Sequence, residues 1–332
     1  MKRVLKTIGK ILLGITAVSL IVCVYFYARF KPVERPVWGV SFSVPHAQYL
    51  GLDYKQVYSE LLNDLGVKNL RLMAYWENIE PKQGKFDFSE IDYLVEEAGR
   101  SGAEVILVVG HKQPRWPECH HPDWYENLNE NQKQEAVLNM LGNAVNHFKN
   151  YSNIKYWQVE NEPFFDYGRN CPTISKEFLA KEVALVKSLD PRPVVITDSG
   201  EKGWWPRAAQ SADILGSTMY RTVNNPRWGG YITYPIPAAW YRIQAGMAQS
   251  FSGIRSVIGS ELQTEPWFEQ DVRDTPVARQ IELMGSQKLR DNINYASKTG
   301  FSEHYLWGAE WWYYMKEQGH PEILETMRSL FK

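Results

Sequence analysis

From residue 38 onward, short apolar runs alternate with stretches of helical periodicity. The runs at 38–44, 69–74, 104–110, 154–162, 194–198, 214–220, 256–261 and 301–307 predict eight strands. The run Val105-Ile106-Leu107-Val108-Val109 does not alternate with polar residues, as expected of a strand buried on both faces. Between the runs, apolar residues three and four apart predict helices over 54–65, 89–98, 131–147, 176–189, 206–211, 238–249, 277–297 and 321–331. Val57, Leu61, Leu62 and Leu65 share one face of the first. Ser89-Glu90-Ile91-Asp92 reads as a capping box opening the second. Regular alternation of this kind predicts an α/β fold with a parallel sheet inside and helices outside. Eight units at this length fit a (β/α)8 TIM barrel over 37–332. An open sheet would place a glycine-rich phosphate loop after its first strand. Pro45-His46-Ala47-Gln48 stands there instead.

The N-terminus follows a different pattern. Lys2, Arg3, Lys6 and Lys10 precede an uncharged run over 11–28, which Arg29 and Lys31 close. That length is near the ~20 apolar residues that span a bilayer. No small-residue cleavage site follows it. The expectation is one transmembrane helix acting as an uncleaved signal anchor: 1–10 cytoplasmic, 11–28 in the membrane, 29–36 a linker, and the barrel outside the cytoplasm. Of three cysteines, Cys23 falls in the span. Cys119 and Cys171 would pair as a disulfide, which an exported domain permits, if their loops follow adjacent strands.

Composition changes this picture in one respect. The net charge of −1 gives no sign of a nucleic-acid partner. Aromatic residues, however, make up 14% of the chain, with 13 Trp, 19 Tyr and 13 Phe. Packing alone does not call for so many, and aromatic platforms suit the apolar faces of sugar rings. No signal for an oligomeric state is present.

In a barrel the C-terminal tips of all strands meet at one mouth. That brings together Arg71, His111, Asn161, Glu162, Tyr220, Glu261 and Trp307. Two carboxyls in one mouth are what glycoside hydrolysis needs. One is protonated to help the leaving oxygen depart, and the other is ionised to attack the sugar carbon. Glu162 is the expected acid/base and Glu261 the expected nucleophile. Arg71 and Tyr220 would hold Glu261 ionised, and Asn161 would hold a hydroxyl beside the reacting carbon. Trp307 would floor the ring, and His111 would line the sugar site. Trp116, Trp204, Trp205, Trp228, Trp311 and Trp312 fall in loops after strands, where some would bind sugar. Glu265 reads as a loop residue. Glu160 reads as a buried carboxylate paired with a cation. The cluster Glu118-Cys119-His120-His121-Pro122-Asp123 has adjacent histidines that diverge and no spaced partner, so no metal is expected. Two carboxyls and water also require no organic cofactor.

These residues resemble the clan A glycoside hydrolases. Arg71-Leu72-Met73-Ala74-Tyr75-Trp76-Glu77-Asn78-Ile79-Glu80-Pro81, continued by Gly84-Lys85-Phe86-Asp87-Phe88, is similar to the second-strand segment of the xylanase, cellulase and β-galactosidase families. Asn161-Glu162-Pro163 is similar to their acid/base motif, Ser260-Glu261 to their nucleophile, and Tyr305-Leu306-Trp307-Gly308 to their eighth-strand tryptophan. The resemblance implies a retaining mechanism on a poly- or oligosaccharide. Gln158-Val159-Glu160 departs from the commoner Ile-Trp pair before that motif, so the resemblance picks no one family. A glycan-binding barrel without activity and an envelope transglycosylase using the same residues are the alternatives.

Overall fold

The computed structural model describes residues 2–226 and 229–331. A long helix, α1 (Lys2–Arg29), comes first. Then follow β1 (Val37–Phe42), α2 (Val44–Tyr49), α3 (Tyr54–Asn63), β2 (Asn69–Met73), α4 (Trp76–Ile79), α5 (Ser89–Arg100) and β3 (Glu104–Val109). Next come α6 (Glu130–Phe148), β4 (Ile154–Val159), α7 (Lys176–Leu189), β5 (Val194–Asp198), α8 (Trp205–Ala209) and β6 (Ile214–Met219). A hairpin, β7 (Thr222–Asn225) and β8 (Gly230–Thr233), precedes α9 (Ala238–Phe251) and β9 (Ser256–Gln263). The chain ends with α10 (Val277–Met284), α11 (Ser286–Ser297), β10 (Glu303–Trp307), α12 (Ala309–Glu317) and α13 (Pro321–Arg328).

Eight of the strands pair in parallel in the order β1-β10-β9-β6-β5-β4-β3-β2 and close into the expected TIM barrel. Ile106, Val195, Ile214, Ile258 and Tyr305 cluster on their own inside it. The larger core lies between strands and helices, where each helix buries its apolar face.

Local departures have local causes. The second-strand helix has no capping box: Ser89 is already helical, and its N–H donates to Asp87 Oδ1 at 3.0 Å. A true capping box forms at Asn129 and Gln132, at the start of α6. β1 ends at Phe42 because Ser43 caps α2. The single helix expected over 277–297 is two, broken where Gly285 is extended (φ −81°, ψ 173°). β4 stops at Val159, not at 162, because Glu160 (φ 60°) and Glu162 (φ 43°) adopt left-handed backbone. Non-glycine residues hold that conformation only where their surroundings impose it.

Among the described residues one helix, α1, is long and apolar enough to cross a membrane. Its C-terminal end packs on α9. A Cβ on Gly246 would clash with the Phe26 carbonyl, so glycine there allows the two helices to touch. Arg242 Nη1 donates to Tyr27 Oη at 2.8 Å. Phe30 is buried edge-on against Phe301. The Val33 and Val37 N–H groups then bond to the Gly300 and Ser302 carbonyls, laying residues 30–37 along the barrel floor.

Candidate active site

A cavity of about 410 Å³ opens at the C-terminal ends of the strands. Glu162 and Glu261 both line it, with Asn161, Tyr220, Trp307 and Trp116. The two carboxyls sit in different environments. Arg71, fully buried on β2, donates from Nη1 to Glu261 Oε1 at 2.9 Å. Tyr220 Oη donates to Glu261 Oε2 at 2.8 Å. Each Glu261 oxygen therefore has one strong donor, and one donor is a permanent cation. Burial and the Glu261 charge raise the Tyr220 pKa well above the usual phenol value, so it remains a donor.

Glu162 makes no ion pair among the described residues. Its Oε1 accepts from Thr218 Oγ1 at 3.1 Å, and its N–H donates to Thr197 Oγ1 at 2.8 Å. Thr218 is the cross-strand partner of Glu261 in the pairing of β6 with β9, so one threonine stands beside both carboxyls. Burial raises the Glu162 pKa well above the carboxylate range, and the charges of Glu261, Glu118, Asp198 and Glu201 add to the rise. One carboxyl with a raised pKa thus stands beside one gripped by a guanidinium and a phenol, so their environments differ.

Asn161 is fixed in orientation. Its Oδ1 accepts from Arg71 Nη2 at 3.0 Å, Thr197 Oγ1 at 3.0 Å and Gln158 Nε2 at 3.3 Å. Nδ2 donates one hydrogen to Glu118 Oε2 at 3.3 Å, which leaves its second hydrogen to meet a ligand. Trp307 lines the cavity, with the Arg115 guanidinium 4.2 Å from its ring centre. Trp116 is 58% exposed at the rim, beside Tyr167. Cys119 and Cys171 are bonded, tying the loop after β3 to the loop after β4.

Other expectations are corrected. His111 does not line the cavity. Gly110 (φ 132°) turns the chain, and the Glu160 carboxylate takes the His111 N–H. The ring is drawn away among His121, Tyr125 and Trp76. Burial, then the charges of His121 and His120, lower its pKa to about 3, so it is neutral. Glu160 is buried, but its partners are the N–H groups of His111 and Lys112 and the carboxyl of Glu182, not a cation's side chain. The Glu182 oxygens meet no N–H or O–H donor, so a proton shared with Glu160 is what satisfies the pair. Trp311 and Trp312 are not loop residues. They are buried on α12, bonded to Gln280 and to the Thr264 carbonyl. Trp205 is likewise buried, donating to the Ser199 carbonyl at 3.0 Å. Trp204 is exposed but does not line the cavity, and Trp228 lies outside the described residues.

Three cavity carboxyls were not foreseen. Glu265 pairs with Arg115 and His46, which outweigh burial and hold its pKa at about 2. Glu201 accepts from the Tyr220 N–H and Tyr241 Oη, and burial pushes it up to about 7. Glu118, from the cluster that resembled metal ligands, is buried beside Asn161. The other members of that cluster have separate partners: His120 meets Glu77, and His121 meets Glu126.

The model of Glycosyl hydrolase family 10 matches residues 38–183, which is less than half of the chain. That stretch contains Glu162 and stops short of Glu261. Solved structures share the barrel. Exo-β-1,4-mannosidase Op5Man5 from an Opitutaceae bacterium aligns at TM-score 0.56 and 14% identity, over 84% of this chain and 52% of its own. Xylanase 10B from Thermotoga maritima aligns at 0.54 and 17%, over 82% of this chain and 83% of its own. A family 39 glycoside hydrolase from Bacteroides cellulosilyticus aligns at 0.53 and 18%, over 82% and 56%. This chain spans about half the length of the mannosidase and of the family 39 enzyme. The barrel is shared with these glycoside hydrolases, and residues 38–183 are similar to the family 10 model.

Proposed function

We propose that this chain is a retaining glycoside hydrolase that cleaves a poly- or oligosaccharide by double displacement. The observation that carries this reading is the asymmetry of two carboxyls in one cavity. Glu261 is gripped by Arg71 and Tyr220, while Glu162 is buried and makes no ion pair among the described residues. Glu162 gives its proton to the departing glycosidic oxygen as a Glu261 oxygen bonds to the sugar carbon. Glu162, now ionised, takes a proton from water, whose oxygen displaces Glu261 and frees the sugar with its original configuration. Asn161 Nδ2 holds the hydroxyl beside the reacting carbon. Trp307 and Trp116 supply apolar ring contacts.

We read α1 as a membrane anchor with the barrel outside the cytoplasm. The docking of its end on α9 supports a helix that stays attached, and the Cys119–Cys171 bond supports an oxidising compartment. In this reading 1–10 is cytoplasmic, 11–28 spans the bilayer, 29–36 connects and 37–332 is the catalytic barrel.

The test is turnover of a panel of plant and microbial glycans by the full chain in detergent, beside Glu162→Gln and Glu261→Gln. Release of sugar by the wild type alone supports the enzyme. Equal binding by all three with no turnover would leave a glycan-binding barrel.

A further inference from the structure

Resting on the glycosidase reading, a third carboxyl in the cavity has a role of its own. Glu118 is buried in the loop after β3 and lines the cavity that holds Glu162 and Glu261. Its backbone is left-handed (φ 75°). Three features fasten the loop around it. The Gln113 N–H donates to the Glu118 carbonyl at 2.7 Å, and the Glu118 N–H donates to the Arg115 carbonyl at 2.8 Å. The next residue, Cys119, is bonded to Cys171. The carboxyl is therefore placed rather than free to turn away.

Asn161 Nδ2 donates to Glu118 Oε2 at 3.3 Å. The other Glu118 oxygen takes no bond from the described residues, and Glu118 forms no ion pair among them. The Arg71 guanidinium that grips Glu261 through Nη1 grips Asn161 through Nη2. One rigid fork thus sets the nucleophile and Asn161 side by side, with Glu118 next in line. Asn161 Nδ2 and Glu118 Oε2 are in contact at the cavity wall, so a hydroxyl that meets one stands beside the other. A hydroxyl both donates and accepts, and an amide N–H beside a carboxyl answers both needs.

We propose that Glu118 and Asn161 together seat the hydroxyl at C2 of the sugar, so that Glu118 selects substrates with a free C2 hydroxyl. Glu118 acts as a specificity-determining residue, with no part in proton transfer to the leaving group.

The experiment compares wild type, Glu118→Ala and Glu118→Gln on aryl glycosides and aryl glycobiosides of glucose, xylose, mannose and galactose, each paired with its 2-deoxy analogue. The expected result is a ~10- to 100-fold loss of kcat/KM for Glu118→Ala on the C2-hydroxyl substrates and less than about 3-fold on the 2-deoxy ones. Glu118→Gln, whose amide still bonds a hydroxyl, falls between. Equal losses on both series would mean that Glu118 only shapes the loop, and no loss on either would mean that it does not touch the sugar. Both results overturn the proposal. If Glu118→Ala melts below the assay temperature, the same comparison with Glu118→Gln decides. Wild type inactive on every compound and on the glycan panel would instead refute the glycosidase reading, and the proposal with it.

Discussion

Replacing Glu162 by glutamine removes one proton and little else. The amide has the shape of the acid and still accepts from Thr218 Oγ1, which stands 3.1 Å from Glu162 Oε1. No ion pair is broken, because Glu162 has none among the described residues, so the variant is expected to fold and melt like the wild type. General acid catalysis contributes about 10²- to 10⁴-fold, or roughly 3–5 kcal/mol of barrier. That loss is expected where the leaving group is a sugar hydroxyl, which cannot depart unprotonated. A dinitrophenolate leaves without help, so bond cleavage on an activated glycoside is expected to survive, and turnover then slows at the water step. The pH profile gives a second reading. Burial and four neighbouring carboxyls raise the Glu162 pKa well above its ordinary value. The acid is therefore present near neutrality and lost as pH rises through that raised value, giving wild-type kcat/KM an alkaline limb. In Glu162→Gln the limb is absent. The assay is kcat/KM against pH on a natural oligosaccharide and a dinitrophenyl glycoside. A variant that keeps wild-type rates on the oligosaccharide, or keeps the alkaline limb, would refute Glu162 as the acid.

Tyr220→Phe leaves Glu261 Oε2 without its phenol donor, while Trp267 still packs edge-on against the ring at 5.5 Å. A hydrogen bond to a charged group is worth about 1.5–3 kcal/mol, so kcat/KM is expected to fall ~10- to 100-fold with little change in Tm. The buried Glu160–Glu182 pair makes stability depend on pH. Burial holds the Glu182 pKa well above its unfolded value. That contribution is complete below the unfolded value and disappears as pH rises through the folded one. Glu182→Gln donates permanently, so by calorimetry its Tm is expected to match wild type at about pH 4, below the ordinary carboxyl value, and to exceed it increasingly as pH rises above that value. Reducing Cys119–Cys171, which closes a 52-residue separation, is expected to cost up to ~4 kcal/mol and lower Tm by about 5 °C.

Most of the barrel was legible because strands, helices and turns announce themselves locally. Arg71, Asn161, Glu162, Tyr220, Glu261 and Trp307 could be placed at one mouth because each sits at or near the tip of a predicted strand, and parallel topology carries every tip to the same end. The errors arise where a side chain's direction depends on a partner far along the chain. His111 occupies a strand tip, but the Glu160 carboxylate captures its N–H and turns the ring under the loop. Glu265 has the sequence context of a loop, and its pairing with Arg115, 150 residues away, and with His46 holds it in the cavity. Glu118 lies in a Cys- and His-containing loop whose sequence shows neither a metal site nor a cavity residue. Its orientation comes from the bond between Cys119 and Cys171 and from its left-handed backbone, which periodicity does not report. Trp311 and Trp312 read as loop residues because α12 follows β10 with only Gly308 (φ 111°) between them, too short an interval for the pattern to show a new helix. That glycine was the available signal.

Covalent capture of the nucleophile bears on the central claim without waiting for the natural substrate. The full chain is incubated with 2-deoxy-2-fluoro glycosyl fluorides of several sugars, which form the glycosyl ester faster than water can remove it, and then mapped by peptide mass. The account predicts one added sugar on the peptide carrying Glu261 with at least one of the reagents, and none in Glu261→Gln. A label on Glu162, Glu118 or Glu265 in the wild type would contradict it.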